Sequence, residues 1–377
     1  MAVTFIQQPD EKSIQSSDNP INYVFSSDQT TQANFCFIVQ TFIGNVLVST
    51  DKVFPERGNR AHWDAGKIAM NFTKAFPRPT DLIVPRALPT MYIKVAERYG
   101  TTPSTQPFET SLTHYVVKAR CTEERYKPNW IQDDYVIESQ WITDAPNKTL
   151  IVSKKHPIYA SIFNQGATIL VEAYCYAENG DLLGIVNDTS IQGMQRVDVC
   201  ITPDAIQNEI APASIDDVAR MEVYMNQSEP LFVTFVPNEC TEFNQVNWLN
   251  NLGTYDQFLF GHNHEQESAI TMLEYKKQFG SWGTSNEFNY DSLTSGDTTY
   301  TKTIQPTGTL YTGWISEVYQ NWLANIYYSI GVLLYAEDGT HAISVTDTKA
   351  TKMQSRFDEL LNFQVGYSKT NFKSITQ

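Results

Sequence analysis

No apolar run in the 377 residues approaches the roughly 20 that a membrane-crossing helix needs, which argues against a helical anchor in this sequence. The opening stretch MAVTFIQQPDEKSIQSSDNP lacks the basic start and apolar centre of a secretory leader, so the chain is expected to be made and kept in a cytoplasm. Cysteine is scarce and odd in number: Cys36, Cys121, Cys175, Cys200 and Cys240 have no CxxC spacing, which speaks against a disulfide framework or a thiolate metal site. Basic residues are outnumbered, 27 Lys and Arg against 42 Asp and Glu, and the net charge of -15 repels nucleic-acid phosphates and anionic lipid. The one small basic cluster, Lys154-Lys155-His156, is too short for a nucleic-acid footprint and reads as a solvated strand edge. No GxSxG, P-loop, HExxH or GxGxxG in a strand-turn-helix context is present.

What the sequence does have is β-hairpins. Residues 168–186, TILVEAYCYAENGDLLGIV, alternate apolar positions at Ile169, Val171, Ala173 and Cys175, and Asn179-Gly180 is expected to supply two positive-φ turn positions. Residues 35–48, FCFIVQTFIGNVLV, repeat the pattern around Gly44-Asn45, and residues 332–345, VLLYAEDGTHAISV, repeat it around Asp338-Gly339. The first two hairpins are followed by the same landmarks. His62-Trp63-Asp64, a short helical pattern to Phe72 and a strand from Met91 match Arg196-Val197-Asp198, a helical pattern to Ile210 and a strand from Met221. Elements recurring in one order at domain spacing imply an internal duplication.

The expected fold class is therefore mainly β: tandem immunoglobulin-like β-sandwich modules with short helices, plus a C-terminal β-rich module carrying one amphipathic helix. Residues 1–20 are polar and read as an N-terminal arm, 21–122 as the first module, and 123–156 as a connector rich in aromatics (Tyr126, Trp130, Tyr135, Trp141). Residues 157–238 read as the second module, a repeat of the first, and 239–377 as the C-terminal module. Pro77, Pro79, Pro85 and Pro89 predict a loop, and the excursion TTPSTQPFETS at 101–111 is expected to project as a contact element. Val318, Tyr319, Trp322, Leu323 and Ile326 form the stripe of the amphipathic helix.

One segment resembles a known family. Asn247-Trp248-Leu249-Asn250-Asn251-Leu252-Gly253-Thr254-Tyr255-Asp256 is similar to the N-x-LGGYD signature in virion proteins of Bacteroidales-infecting tailed phages, including crAss-like phages, with Thr254 where a second glycine is usual. Glu274 on a strand, Trp322-Leu323 on a helix, Val345-Thr346-Asp347-Thr348 after a hairpin and the bridge Trp141-Ile142-Thr143-Asp144-Ala145-Pro146 extend the resemblance. It implies a non-enzymatic structural subunit of the tail or head-tail collar, a head-tail connector or ring protein around the DNA channel. Its implied partners are copies of itself and other phage tail, collar or portal-associated proteins, with DNA passing unbound, no membrane, no catalytic residues, no cofactor and no metal.

Two other classes compete with this reading. A carbohydrate-binding adhesin of the tail tip would use aromatic platforms, for which Trp130, Trp141 and Trp282 are candidates, whereas Trp63, Trp248 and Trp322 read as core. An enzyme would need convergent groups, and Glu123-Glu124, Asp133-Asp134 and Asp216-Asp217 are sequence neighbours that a strand points to opposite faces. His262-Asn263-His264-Glu265 offers at most half a metal site and reads as a solvated loop.

Overall fold

The structure, a computed structural model, describes residues 3–74, 78–120, 127, 129–137, 140–165, 168–190, 194–226, 228–236, 244–261, 264–277, 281–285, 287–289, 296–336, 338–347, 360–370 and 373–376. The chain is mainly β and divides into two compact units. The first is Met1–Asn238 with Leu249–Gln257, and the second is Glu239–Trp248 with Phe258–Gln377.

The first unit holds two sandwiches of one design. In the first, β1 (Thr4–Gln7), β3 (Asn22–Ser26) and β6 (Arg60–Asp64) form one sheet in the order β1-β3-β6. The facing sheet is β2-β11-β8-β4-β5, built from β2 (Ile14–Ser16), β4 (Cys36–Ile43), β5 (Val46–Val53), β8 (Thr90–Tyr99) and β11 (His114–Val117). A short helix, α1 (Gly66–Phe72), and a strand, β7 (Ile83–Ala87), lie between β6 and β8. The second sandwich follows the same plan with β12 (Thr149–Val152), β13 (Ile158–Gln165), β14 (Ile169–Ala177), β15 (Leu182–Ser190), β16 (Met194–Ile201), α2 (Pro203–Ile210), β17 (Val218–Met225) and β18 (Leu231–Phe235). Its sheets are β13-β16-β7 and, within this unit, β15-β14-β17-β18-β12. The duplication reaches the strand directions, since β2 runs parallel to β11 as β12 does to β18.

Local chemistry accounts for the elements the two copies share. Gly44 and Asn45, at φ 56° and 65°, make the two-residue turn between Ile43 and Val46. In the second copy only Gly180 is at positive φ, 91°, and Ala177 pairs with Asp181 around a longer loop. Asn179-Gly180 therefore does not supply two positive-φ positions: with the extra residue the turn is the three-residue kind that needs one left-handed glycine at its end. Thr202 caps α2, its hydroxyl accepting from the Ala205 N–H at 3.2 Å, and Pro203 starts the helix where no N–H is required.

Four expectations fail for one physical reason, that a strand is made by its partner. Residues 1–20 are not a free arm: β1 pairs with β3, β2 pairs with β11, and Ile14 is buried. The proline-rich segment is not all loop, because β7 leaves the first module and pairs antiparallel with β16 of the second, Pro85 opposite Val197. A proline is tolerated there because β7 is the edge of its sheet. The 101–111 excursion does not project, since β9 (Ser104–Thr105) and β10 (Glu109–Thr110) fold back on β8. The 123–156 connector likewise contains β12, so the second module starts before residue 157.

Each sandwich buries an alternating set. Tyr23, Phe25, Phe37, Val39, Ile93 and Val95 close the first core, with the Phe25 and Phe37 rings edge to face at 4.9 Å. His114 is fully buried among them, its Nδ1 3.4 Å from the Tyr23 hydroxyl. Burial pushes its imidazole from 6.5 down to about 4. Above 6.5 the folded and unfolded states are both neutral at this residue; below it only the unfolded chain gains the proton. Stability is therefore expected to fall by about 1.4 kcal/mol per pH unit through this window as the solution is acidified. Urea titrations across the window should show that slope, flattened in His114→Gln; an equal slope in both proteins would remove the assignment.

In the second unit, β19 (Asn244–Leu249) and β20 (Tyr255–Phe260) are followed by the long β21 (His264–Lys277), a small hairpin β22 (Ser281–Trp282) and β23 (Phe288–Asn289), and the long β24 (Gly296–Ser316). Then come α3 (Glu317–Leu323), β25 (Val332–Ala336), β26 (Gly339–Val345), β27 (Leu360–Lys369) and β28 (Lys373–Thr376). Within the unit the sheet runs β19-β25-β26-β27-β24-β21, with β28 also on β24. Trp322, Leu323 and Ile326 are buried as the helical stripe requires, but Val318 is exposed: α3 is short and tightens into a 3-10 turn at Ala324–Tyr328. The 239–377 boundary also shifts, because the turn 249–257 clusters with the first unit.

Candidate functional site

On β16, Val197, Val199 and Ile201 face one way and Arg196 and Asp198 the other, yet both sides are buried. Opposite charges two residues apart on a strand share a face, and here they pair, Arg196 Nε to Asp198 Oδ1 at 2.6 Å. Arg86, carried in by β7, places its Nε 3.2 Å from Asp198 Oδ2, and the Ser161 hydroxyl on β13 donates to Oδ1 at 2.7 Å. One carboxylate thus joins three strands, one of them from the other module. A buried carboxylate is stable only when its charge and lone pairs are met in this way.

The turn at 249–257 closes on this network. Arg196 Nη1 donates to the Gly253 carbonyl at 2.5 Å. Asn250 Oδ1 accepts from the N–H groups of Leu252 and Thr254 at 2.9 and 3.0 Å, which holds the turn, while Leu252 enters a buried cluster. Gly253 sits at φ 79°, and a side chain there would overlap the Lys118 carbonyl at the end of the first module. Thr254 donates to the Ile142 carbonyl at 2.7 Å, and Asp256 Oδ1 accepts from the Thr143 hydroxyl at 2.7 Å. Thr254 therefore does what glycine cannot, adding a hydrogen bond to the bridge 141–146. The signature-like residues and that bridge are brought together, with Arg196 and Asp198, as a latch between the two modules.

The cluster beneath the turn contains Ile14, Val117, Trp130, Ile131, Ile142 and Phe163. It corrects the reading of the connector aromatics. Trp130 is 6% exposed and Trp141 is 1% exposed, its Nε1 donating to the Glu229 carbonyl at 2.9 Å, so neither offers a face to a sugar. Trp282 is on β22, whose side chains lie outside the described residues. Trp63 packs against the first core, and Trp248 packs at a tilt against Trp322, ring centres 5.0 Å apart, in the second unit, as expected for core residues.

Among the described residues the paired carboxylates serve ion pairing and capping. Asp133 and Asp134 both reach the exposed Lys127, and Asp217 accepts from the Ser214 N–H at 3.0 Å in a capping box. Glu123, Glu124, His262 and Asn263 lie outside the described residues, as do Tyr126, Cys121 and Cys240. Cys36, Cys175 and Cys200 are buried free thiols, with burial pushing Cys175 up to about 12. Lys154 is not a solvated edge: it is buried, its Nζ donating to the Asp216 carbonyl at 2.5 Å. Among the described residues no three His, Cys, Asp or Glu side chains gather to hold a metal ion.

In the second unit, Thr346 and Asp347 line an open polar cleft of about 230 Å³ together with Glu267, Thr307 and Thr309. Asp347 Oδ2 accepts from the Gly366 N–H at 2.6 Å, which makes it a loop-holding group. The residues that sequence reasoning missed are Arg86 and Ser161. Nothing local marks them, because each reaches Asp198 from a strand far away in the sequence.

No protein-family model matches the chain, and no curated protein matches it. Solved structures with some likeness include the Dpr2 Ig1-Ig2 chain in complex with DIP-Theta Ig1-Ig3, at 10% identity and a TM-score of 0.17, covering 63% of this chain and 100% of that one. The calcium binding domain CBD12 of CALX1.1 has 7% identity and a TM-score of 0.20, covering 60% of this chain and 79% of that one. The plexin A4 full extracellular region has 8% identity and a TM-score of 0.20, covering 97% of this chain and 36% of that one.

Proposed function

We propose that the chain is a non-enzymatic structural subunit of a tailed-phage virion, a ring protein of the tail or head-tail collar around the DNA channel. The observation that carries this reading is the latch: the residues resembling the phage signature spend their polar atoms on Arg196, Ile142 and Thr143, tying two sandwiches into one body. A ring subunit needs such a body, because a load at one neighbour must reach the next without a hinge. The net charge of -15 fits a channel along which DNA slides without being held. Partners on this reading are further copies of the chain and other tail, collar or portal-associated proteins. The adhesin alternative loses support, since Trp130 and Trp141 are buried. Mass photometry of the chain alone and mixed with the phage's other tail proteins tests the proposal. Multimers or complexes are expected; single chains in every mixture would count against it.

A further inference from the structure

The two sandwiches present equivalent outer sheet faces that differ in charge: Lys52, Lys94 and Arg98 on the first, and Glu172 and Glu222 beside a single Arg220 on the second. On β8, Met91, Ile93 and Val95 point into the core, so Tyr92, Lys94 and Arg98 point out. On β4, Phe37 and Val39 point in, so Phe42 points out, and Lys52 of β5 stands opposite Ile38, which shares that side but is buried. Phe42 and Tyr92 stack at 4.9 Å, with Lys94 Nζ 5.0 Å from the Phe42 ring. The ion pairs of the first module, such as Lys118 with Asp18, use none of Lys52, Lys94 or Arg98 among the described residues.

On the second sandwich, Val171, Ala173, Cys175, Met221 and Val223 are buried, so Glu172, Tyr174 and Tyr176 of β14 and Arg220, Glu222 and Tyr224 of β17 point out. Tyr174 and Tyr224 meet edge to face at 5.5 Å, and their hydroxyls donate to Glu172 at 3.4 Å and Glu222 at 3.0 Å. Arg220 lies over the Tyr176 ring at 4.9 Å, its Nη2 4.0 Å from Glu222. The whole β14–β15 hairpin, residues 168–190, carries Glu172, Glu178, Asp181 and Asp188 and no Lys or Arg.

We infer that the basic β4–β5–β8 face of one copy docks on the acidic β14–β15–β17 face of a second copy. This rests on the ring reading and names the surfaces that would build it. Both faces carry aromatic rings on strands of the same order, so they can pack sheet on sheet. Pairing the first face with its own copy sets Lys52, Lys94 and Arg98 against one another, whereas pairing it with the second brings them to Glu172 and Glu222. A contact between unlike patches of one chain is head to tail, and such contacts close into a ring when the rotation from copy to copy closes and run on as a filament when it does not.

Sedimentation velocity on the full chain tests this. Wild type is expected to assemble at low ionic strength and to come apart near about 1 M salt, where the screening length falls to about 3 Å. The variant Lys52→Glu, Lys94→Glu, Arg98→Glu and the variant Glu172→Lys, Glu222→Lys should each sediment at the single-chain mass of 42.8 kDa. Mixed in equal amounts, they should assemble again, because each contact between the two variants joins opposite charges. The single reversals Lys94→Glu and Glu172→Lys repeat the test if a multiple variant loses its native circular dichroism. A wild type that stays single at high micromolar concentration overturns the proposal, as does a mixture of folded variants that stays single. Variants that assemble as wild type does remove these faces while leaving the ring reading in place.

Discussion

Asp198→Ala is expected to destabilise the first unit by about 3–5 kcal/mol, because it strands a buried charge. The Arg196 side chain is 2% exposed and cannot turn to water, and Arg86 loses the group that holds β7 against β16. Ser161 is left with a buried hydroxyl and no acceptor at that place. Asp198→Asn keeps one acceptor oxygen and should lose less than the alanine variant. Urea denaturation followed by tryptophan fluorescence measures both, since Trp130 and Trp141 are buried in this unit. A loss under about 1 kcal/mol in Asp198→Ala would mean the network is replaceable packing.

Gly253→Ala is expected to cost about 2–4 kcal/mol, from two sources that add at this position. The residue is held at φ 79°, which an L side chain resists, and a Cβ there would overlap the Lys118 carbonyl. Relieving the overlap moves the Gly253 carbonyl off Arg196 and lifts Leu252 from its cluster. The variant should therefore loosen both modules where they meet. Hydrogen exchange should rise in residues 117–120, 141–144 and 249–257 and stay unchanged in the first core around Phe25 and Phe37. Uniform exchange throughout the unit would contradict a local latch.

The fold was legible in the sequence wherever it depends on neighbours along the chain. The Gly44-Asn45 turn, the alternation of β14 and the helical pattern to Ile210 all act within a few residues. What escaped depends on partners far away. β7 is a strand because β16 offers it an edge, and β2 because β11 does; nothing in Ile83–Ala87 or Ile14–Ser16 announces either. The latch was half legible. Arg196 and Asp198 marked the duplication, and the 249–257 turn carried the resemblance, but their meeting is a tertiary fact. The duplication also conceals a divergence: Asp64 stands where Asp198 does, yet its Oδ1 accepts from the N–H groups of Ile21 and Gly66, at 3.0 and 2.9 Å, and serves α1. Equivalent aspartates therefore do different work, one local and one between modules.

The difference in charge between the two outer faces follows the same logic. Alternation along β8 and β14 is visible in the sequence, but which face is left uncovered depends on the connector packing over Val117 and leaving Lys94 in reach of solvent. A duplication whose copies kept their cores and changed their outer faces is what a head-to-tail contact would select.

Electron microscopy of virions carrying a tagged copy of this chain tests the central claim most directly. A closed ring of label at the tail or head-tail collar is the predicted result. Label confined to the outer tip of tail fibres, or missing from assembled virions, would contradict it.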